Sequence, residues 1–409
     1  MAVRFGSFDR RTVRVLLILS VTQVIGWGTL SLPAVSGRQI AADLGMDVAS
    51  AFAGTSILYV AMGLWAPVLA GVFSRRGAKP VMMLGTVVAA VGFVVMSSAQ
   101  GAPSYFVAWA ILGSAGSAAL STAAYILLNE VCGVAAGGAI GALMLVTGLS
   151  SSLFWPVGGA LSDAIGWRGT GLVYAATILI VCLPLIAFGL PQRIAPTKKA
   201  VAAEARHTQP ARTSTFYLLV SAIALNAFVT YGFSAIMIEL LKSAGLGPAE
   251  AIGFGSALGV IQVGARAVDL FGGGRWDGVT TGLFASFLLP VAMLVLMMSH
   301  GSHWTIMVFI ALYGLASGIL AVARATMPLV FYDKAEFARA TSRIALPLNL
   351  VAAMSPPVLI GLLDRFGTNA VLGLAAFCSF GACLILSRLR RLRPGLSQHH
   401  DGSCPGADL

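Results

Sequence analysis

The sequence predicts an all-α polytopic membrane protein in which twelve transmembrane helices form two six-helix halves. Three observations carry that reading. The chain is 58% hydrophobic and only 10% charged, whereas a soluble domain is about 25% charged. Apolar runs long enough for the roughly 20 residues a helix needs to cross the hydrocarbon core recur along all 409 residues. Those runs also fall into two sets with a matching internal register.

In chain order, spans 1 to 6 are placed at 13–36, 49–73, 80–99, 104–128, 135–160 and 170–190, and spans 7 to 12 at 214–241, 250–271, 279–299, 304–330, 344–363 and 369–387. Residues 191–213 form the longest polar stretch, with Arg193, Lys198, Lys199, Arg206 and Arg212 among Pro191, Pro196 and Pro210, and read as a cytoplasmic linker. The expected organisation is an N-terminal half at 1–190, the linker, a C-terminal half at 214–393 and a cytoplasmic tail at 394–409.

The formal net charge of +11 would suggest nucleic acid in a soluble chain. Here its placement gives a topology instead. With the N-terminus inside, the basic residues of the N-terminal segment and the linker, with Arg75, Arg76, Lys79, Arg275, Lys334, Arg339, Arg343, Arg388, Arg390, Arg391 and Arg393, all face the cytoplasm. Only Arg38, Arg168, Lys242 and Arg365 fall in loops on the other side. This is the positive-inside asymmetry, so no nucleic-acid partner is expected. The first apolar run leads into a whole bundle and reads as a retained span rather than a cleaved signal.

Internal repetition separates transporter folds from other polytopic proteins. Gly45, Ala49, Ala51 and Arg75 around span 2 recur as Gly245, Ala249, Ala251 and Arg275 around span 8, at an offset of 200. Pro156, Val157, Leu161, Asp163 and Gly166 recur as Pro357, Val358, Leu362, Asp364 and Gly367, at 201. Two same-direction copies imply a pseudo-two-fold axis along the membrane normal and a cavity where the halves meet.

On these features the chain resembles the major facilitator superfamily over essentially its whole length. Arg75-Arg76-Gly77-Ala78-Lys79-Pro80 after span 2 is similar to that family's Asp-Arg-x-Gly-Arg-Lys signature, with Ser74 and Ala78 departing from it. In the family the missing acid joins a relay that latches the inner side. Span 5, from Gly148 through Pro156-Val157-Gly158-Gly159, resembles its Gly/Pro-rich antiporter-type motif, and Gly166-Trp167-Arg168 resembles the start of its span 6. The same glycines and prolines also serve close helix packing. Gln23, Gly26-Trp27-Gly28 and the span 8 arginine are similar to the monocarboxylate and oxalate porter group and its bacterial relatives. Two departures are that Asp269 follows Arg266 rather than preceding it, and that span 11 has no lysine beside Pro347, Asn349 and Pro356-Pro357.

Ionisable residues inside spans are functional candidates by default, since a centrally placed arginine costs about 2.5–3.5 kcal/mol on insertion scales. Arg266 in span 8 shares a helix face with Gln262 and Asp269, at i, i+4 and i+7. Arg324 in span 10 lies at a similar depth from the inner end. Two cations on the C-terminal half can hold an anion, because a guanidinium presents a planar fork that matches a carboxylate. The structural alternatives are that Asp269 neutralises Arg266 and that Arg324 snorkels to the headgroups. Gln23, Trp27, Tyr59, Trp155, Asn226 and Asn349 complete the candidate substrate site; each could instead be satisfied by a neighbouring helix.

Protons are the candidate coupling ion, with Asp269 the best placed carboxylate, then Glu239 and Glu130 near span ends. His300 and His303 read as solvated loop residues. Cys132, Cys182, Cys378, Cys383 and Cys404 show no C-x-x-C spacing, and Gly272-Gly273-Gly274 lacks a following Lys-Ser/Thr, so neither a metal, a cofactor nor ATP is expected. Asp333, Lys334 and Glu336 read as a charged loop rather than a catalytic cluster, which argues against an enzyme. The expected function is a monomeric secondary transporter of a small organic anion such as a carboxylate, in a bacterial inner membrane. An exporter of drugs or arsenicals, and a non-transporting sensor or channel, remain as alternatives.

Overall fold

The computed structural model describes residues 9–191, 213–271, 277–299 and 302–392. The linker between its two ends, the 394–409 tail, Arg275, His300 and Cys404 lie outside them. Among the described residues the chain is helical, with no strand, and nine segments are long and apolar enough to cross a membrane. Two of these, Leu153–Gly189 and Glu336–Arg391, run through more than one span. Helix suits this setting because it satisfies every backbone group within the segment.

Span 1 consists of two helices, Arg10–Thr29 and Leu32–Asp43. Spans 2 and 3 are Val48–Arg76 and Ala78–Ser97, and span 4 is again broken, into Ala102–Ala119 and Ser121–Cys132. Span 5 starts as Ala136–Thr147 and continues in Ser150–Thr177, which Gly166 bends into span 6. Spans 7, 8 and 9 are Thr213–Ser243, Pro248–Phe271 and Gly278–Met297. Span 10 is His303–Thr326 with a short turn, Pro328–Phe331. Lys334–Arg391 holds spans 11 and 12, parted at Gly367.

The sequence repeat is also a repeat of backbone. Gly166 and Gly367 have φ of 72° and 76°, and Gly45 and Gly245 have φ of 63° and 104°. These left-handed values suit glycine, which carries no Cβ, so each half turns its chain at the same two places. Both halves also press their fourth helix onto their second through a glycine. A Cβ on Gly113 would lie 2.4 Å from the Leu58 carbonyl oxygen, and one on Gly318 would lie 2.6 Å from that of Gln262. Small residues at such seams let helices approach in the absence of a hydrophobic drive.

The largest boundary difference from the hydropathy reading is at span 11. Span 11 begins at Lys334 rather than 344, and Asp333 is its N-cap, accepting a hydrogen bond from the Glu336 amide at 2.8 Å. Arg339 and Arg343 lower the hydropathy of turns that are nevertheless helical. Asp47 and Asp277 cap spans 2 and 9 in the same way, through the Ser50 and Thr280 amides.

Packing shows how the halves meet. One apolar core, around Trp109, Phe93 and Tyr174, belongs to the N-terminal half alone, and another, around Phe233, Phe309 and Tyr313, to the C-terminal half alone. A third core mixes them: Val15, Phe73, Val81 and Leu127 enclose Phe337 and Ala338 from the start of span 11. It lies at the end of the bundle where spans 1 and 11 begin and spans 2 and 6 finish. The halves therefore pack together at this terminal face. Spans 2 and 11 pack along each other, and spans 5 and 8 touch.

Candidate functional site

Above the mixed core lies a cavity of about 300 Å³, lined from both halves. The breaks in spans 4 and 5 shape the N-terminal side. Leu120 is extended, with φ of −87° and ψ of −152°, so the chain restarts at Ser121 and presents Ser121, Thr122 and Tyr125 to the cavity. Span 1 braces this break twice. The Gln23 side-chain amide donates to the Ala119 carbonyl at 2.9 Å, and the Trp27 indole N–H donates to Ser121 Oγ at 3.0 Å. Carbonyls at a helix end lack their intrahelical partners, which gives Gln23 its bond. Tyr59 of span 2 and Thr147 and Gly148 of span 5 complete this side.

The C-terminal side carries the charge. Arg266 and Arg324 both line the cavity, with Tyr231, Thr341 and Asn349. The Arg324 guanidinium lies over the Tyr231 ring, 4.7 Å from its centroid, a cation–π contact. Arg266 reaches across to span 5, where Nη1 stands 3.5 Å from the Met144 carbonyl oxygen, at the far limit of a hydrogen bond. Its Nε is buried and without a hydrogen-bond partner among the described residues. No described carboxylate lines the cavity; the Asp269 side chain lies outside the described residues.

The structure thus brings together Arg266, Arg324, Trp27, Tyr59 and Asn349. Other residues predicted for the site lie elsewhere. Gln23 is 1% exposed in the seam between spans 1 and 4. Asn226 donates to Ser286 Oγ at 2.8 Å between spans 7 and 9, and Gln262 donates to Ser317 Oγ at 2.9 Å between spans 8 and 10. Trp155 is 51% exposed and lies off the cavity wall. Helical periodicity assigned these residues to a face, but each face is shared between a helix seam and the cavity.

Both end-placed carboxylates also lie off the cavity. Glu239 is exposed and pairs with Lys242 at 2.9 Å. Glu130 accepts from the Ala78 amide at 3.3 Å, at the N-terminus of span 3. The motif residues next to it are structural in their contacts. Gly77 turns the chain at φ of 78°, Arg75 is exposed, and Lys79 donates to the Leu190 carbonyl at 2.7 Å, tying span 3 to the end of span 6. In span 5, Pro156 is exposed, Gly158 leaves room for the Tyr174 hydroxyl, 2.6 Å from where a Cβ would sit, and Gly159 faces open space.

At the opposite end, Arg168 pairs with Asp43 and donates to the Ala99 carbonyl at 2.8 Å, while the Trp167 indole N–H donates to Asp43 at 2.9 Å. This cluster fastens spans 1, 3 and 6. His303, expected to be solvated, is exposed, and its Nε2 lies 3.2 Å from Glu250 at the start of span 8. Among the described residues no metal-binding cluster and no disulfide occurs.

Sequence reasoning missed Tyr125, Tyr231, Ser121, Thr122 and Thr341. A signal existed for some of them. Ser121 and Tyr125 stand at i, i+4, and three of the chain's eight tyrosines, Tyr59, Tyr125 and Tyr231, line this one cavity.

Comparison with known proteins agrees with this architecture. The model of the Major Facilitator Superfamily matches residues 16–276. Monocarboxylate transporter 3 of Rattus norvegicus is 24% identical over 342 residues, covering 78% of this chain and 67% of its own length. The Gentisate transporter of Corynebacterium glutamicum is 27% identical over 284 residues, 63% of this chain and 58% of its own. The chain therefore spans only part of these relatives. Among solved structures, the human organic anion transporter MFSD10 superposes with a TM-score of 0.73 at 15% identity, over 92% of this chain and 100% of that one. The transporter FucP in its outward conformation gives 0.71 at 13% identity, over 93% and 99%. At such identities the likeness is one of fold.

Proposed function

The chain belongs to the major facilitator superfamily, and we propose that it carries a small organic anion, with a carboxylate the best fit, across the membrane by alternating access. The observation that carries this reading is the pair Arg266 and Arg324 in one inter-half cavity with no described carboxylate on its wall. A guanidinium whose Nε has no partner among the described residues has donors to offer in a confined site, and a carboxylate supplies two acceptors. Relatives named for monocarboxylate and gentisate transport support the same class.

The wall also fits the rest of such a molecule. Both cations stand on the C-terminal half, while Trp27, Tyr59 and Tyr125 stand on the N-terminal half. A carboxylate held by the arginines would direct its remainder at those rings, so that one ligand touches both halves. The mixed core joins the halves at the terminal face, which supports entry of the ligand from the opposite face. Rocking of the halves then opens the Phe337 core and releases it on the other side. With the basic residues of the terminal face directed inward, that face is cytoplasmic, and the setting is a bacterial inner membrane. The carrier works as a monomer.

Proton coupling falls to Asp269, since Glu130 and Glu239 lie away from the cavity. Asp269→Asn should abolish accumulation driven by external acidification while sparing exchange; undiminished proton-driven uptake would count against this assignment. For the function as a whole, the test is a thermal-shift screen of the purified protein against carboxylates, inorganic anions, neutral amides and cationic drugs, followed by counterflow of each hit in proteoliposomes. Saturable stabilisation by carboxylates is expected. Equal stabilisation by amides or cations would contradict the reading.

A further inference from the structure

Span 5 is interrupted at Gly148, between a helix that ends at Thr147 and one that starts at Ser150. The interruption does not call for glycine on backbone grounds. Gly148 has φ of −60° and ψ of −21°, an ordinary right-handed conformation that alanine adopts at lower entropic cost. What calls for glycine is space. A Cβ at 148 would lie 2.8 Å from Nη1 of Arg266, closer than real Cβ contacts allow, so the guanidinium would have to shift from its seat.

That guanidinium has little else to hold it. Its one hydrogen bond among the described residues, to the Met144 carbonyl, is 3.5 Å long. The same carbonyl already accepts from the Gly148 amide at 3.2 Å and from Thr147 Oγ at 3.3 Å, and Nε has no described partner. The position of the charge is therefore set by the shape of the notch rather than by strong bonds. We propose that Gly148 is a positioning residue whose missing side chain forms a notch across the seam between the halves, seating the Arg266 guanidinium where it can receive the substrate's anionic group. A strong fixed partner would compete with the ligand; a notch with one weak carbonyl contact orients the charge and leaves its donors available. The seat is on the N-terminal half and the arginine on the other, so any relative movement of spans 5 and 8 alters the grip.

This inference rests on the proposed anion site, and its test separates the two. The probe is whichever of propionate, benzoate and gentisate gives the largest thermal shift on the full chain. Gly148→Ala is expected to melt at or above the parent temperature, because its backbone is already helical. It should raise the probe's Kd and counterflow KM about tenfold, the scale of weakening one charge-assisted hydrogen bond, with kcat little changed. Gly148→Ser should do the same. In an Arg266→Lys background, which lacks Nη1, Gly148→Ala should change Kd by less than about twofold. Parent-like affinity in Gly148→Ala, beside lost affinity in Arg266→Ala, overturns this inference alone. An equal loss in both backgrounds also overturns it, since the effect would not act through the guanidinium. Undiminished affinity in Arg266→Ala overturns the site reading and this inference with it.

Discussion

Replacing Arg266 by alanine separates what this residue does for the fold from what it does for the ligand. On the folding side little is lost. Among the described residues the side chain gives up one 3.5 Å contact to the Met144 carbonyl, and a half-buried cation with no stronger partner there is itself a cost. The two effects oppose each other, so the empty protein should keep its stability to within about 1 kcal/mol or gain slightly. On the ligand side the loss is large. Hydrogen bonds to charged groups contribute about 1.5–3 kcal/mol each, which corresponds to roughly a 10- to 150-fold rise in Kd. Arg168 is the internal control. It pairs with Asp43 and donates to the Ala99 carbonyl far from the cavity, so Arg168→Ala should lower the melting temperature and leave anion affinity alone. The assay is thermal melting of the parent, Arg266→Ala and Arg168→Ala proteins across a carboxylate titration. If Arg266→Ala melted lower than Arg168→Ala while keeping the full ligand response, the reasoning would be refuted.

Other perturbations test other links. Phe337 is 0% exposed in the core that joins the halves, and removing a buried phenyl ring costs about 3–5 kcal/mol. Phe337→Ala should therefore open the terminal face, measured as faster labelling of a cysteine introduced at Ala338; unchanged labelling would dissociate that core from gating. Gly318→Leu forces a side chain against the Gln262 carbonyl and the Ala265 methyl, 2.6 and 2.8 Å from the Cβ position. Overpacking of about 1–3 kcal/mol should lower the yield of folded protein, whereas Gly159→Leu, facing open space, should not. In the loop before span 2, hydrogen bonds from Ser50 hold the Asp47 carboxyl below its ordinary value of 3.8. A depressed carboxylate stabilises the fold above its unfolded value and loses that contribution as pH falls through the folded one. Asp47→Ala should thus melt lower than the parent at pH 7, with the gap closing on acidification towards pH 3; a gap that stayed constant would reject the cap.

The parts of this molecule legible in the sequence are those governed by the membrane and by the repeat. Hydropathy located all twelve spans because lipid demands long apolar helices, and the Gly166 and Gly367 correspondence became a matching pair of left-handed turns. Span 11 was shortened because Arg339 and Arg343 mimic a loop in a hydropathy average. Within the site, the arginines stood out because charge in a span is costly. Amides gave no such signal: Gln23 is one helical turn from Trp27, yet its amide serves the span 4 carbonyl at Ala119 while the indole helps build the cavity wall. Which of two adjacent turns meets a seam depends on the breaks at Leu120 and Gly148, and hydropathy does not register breaks. The notch under Arg266 was invisible for the same reason, since it joins residues of two halves that are distant in sequence.

The central claim is that an anionic group, received by Arg266 and Arg324, is what the carrier recognises. Counterflow of benzoate against benzamide in proteoliposomes tests it most directly, because the two differ in charge but hardly in shape. The account predicts saturable exchange of benzoate, little of benzamide, and loss of benzoate exchange in the Arg266→Ala and Arg324→Ala proteins. Equal exchange of the two molecules, or benzoate exchange that survives both substitutions, would contradict it.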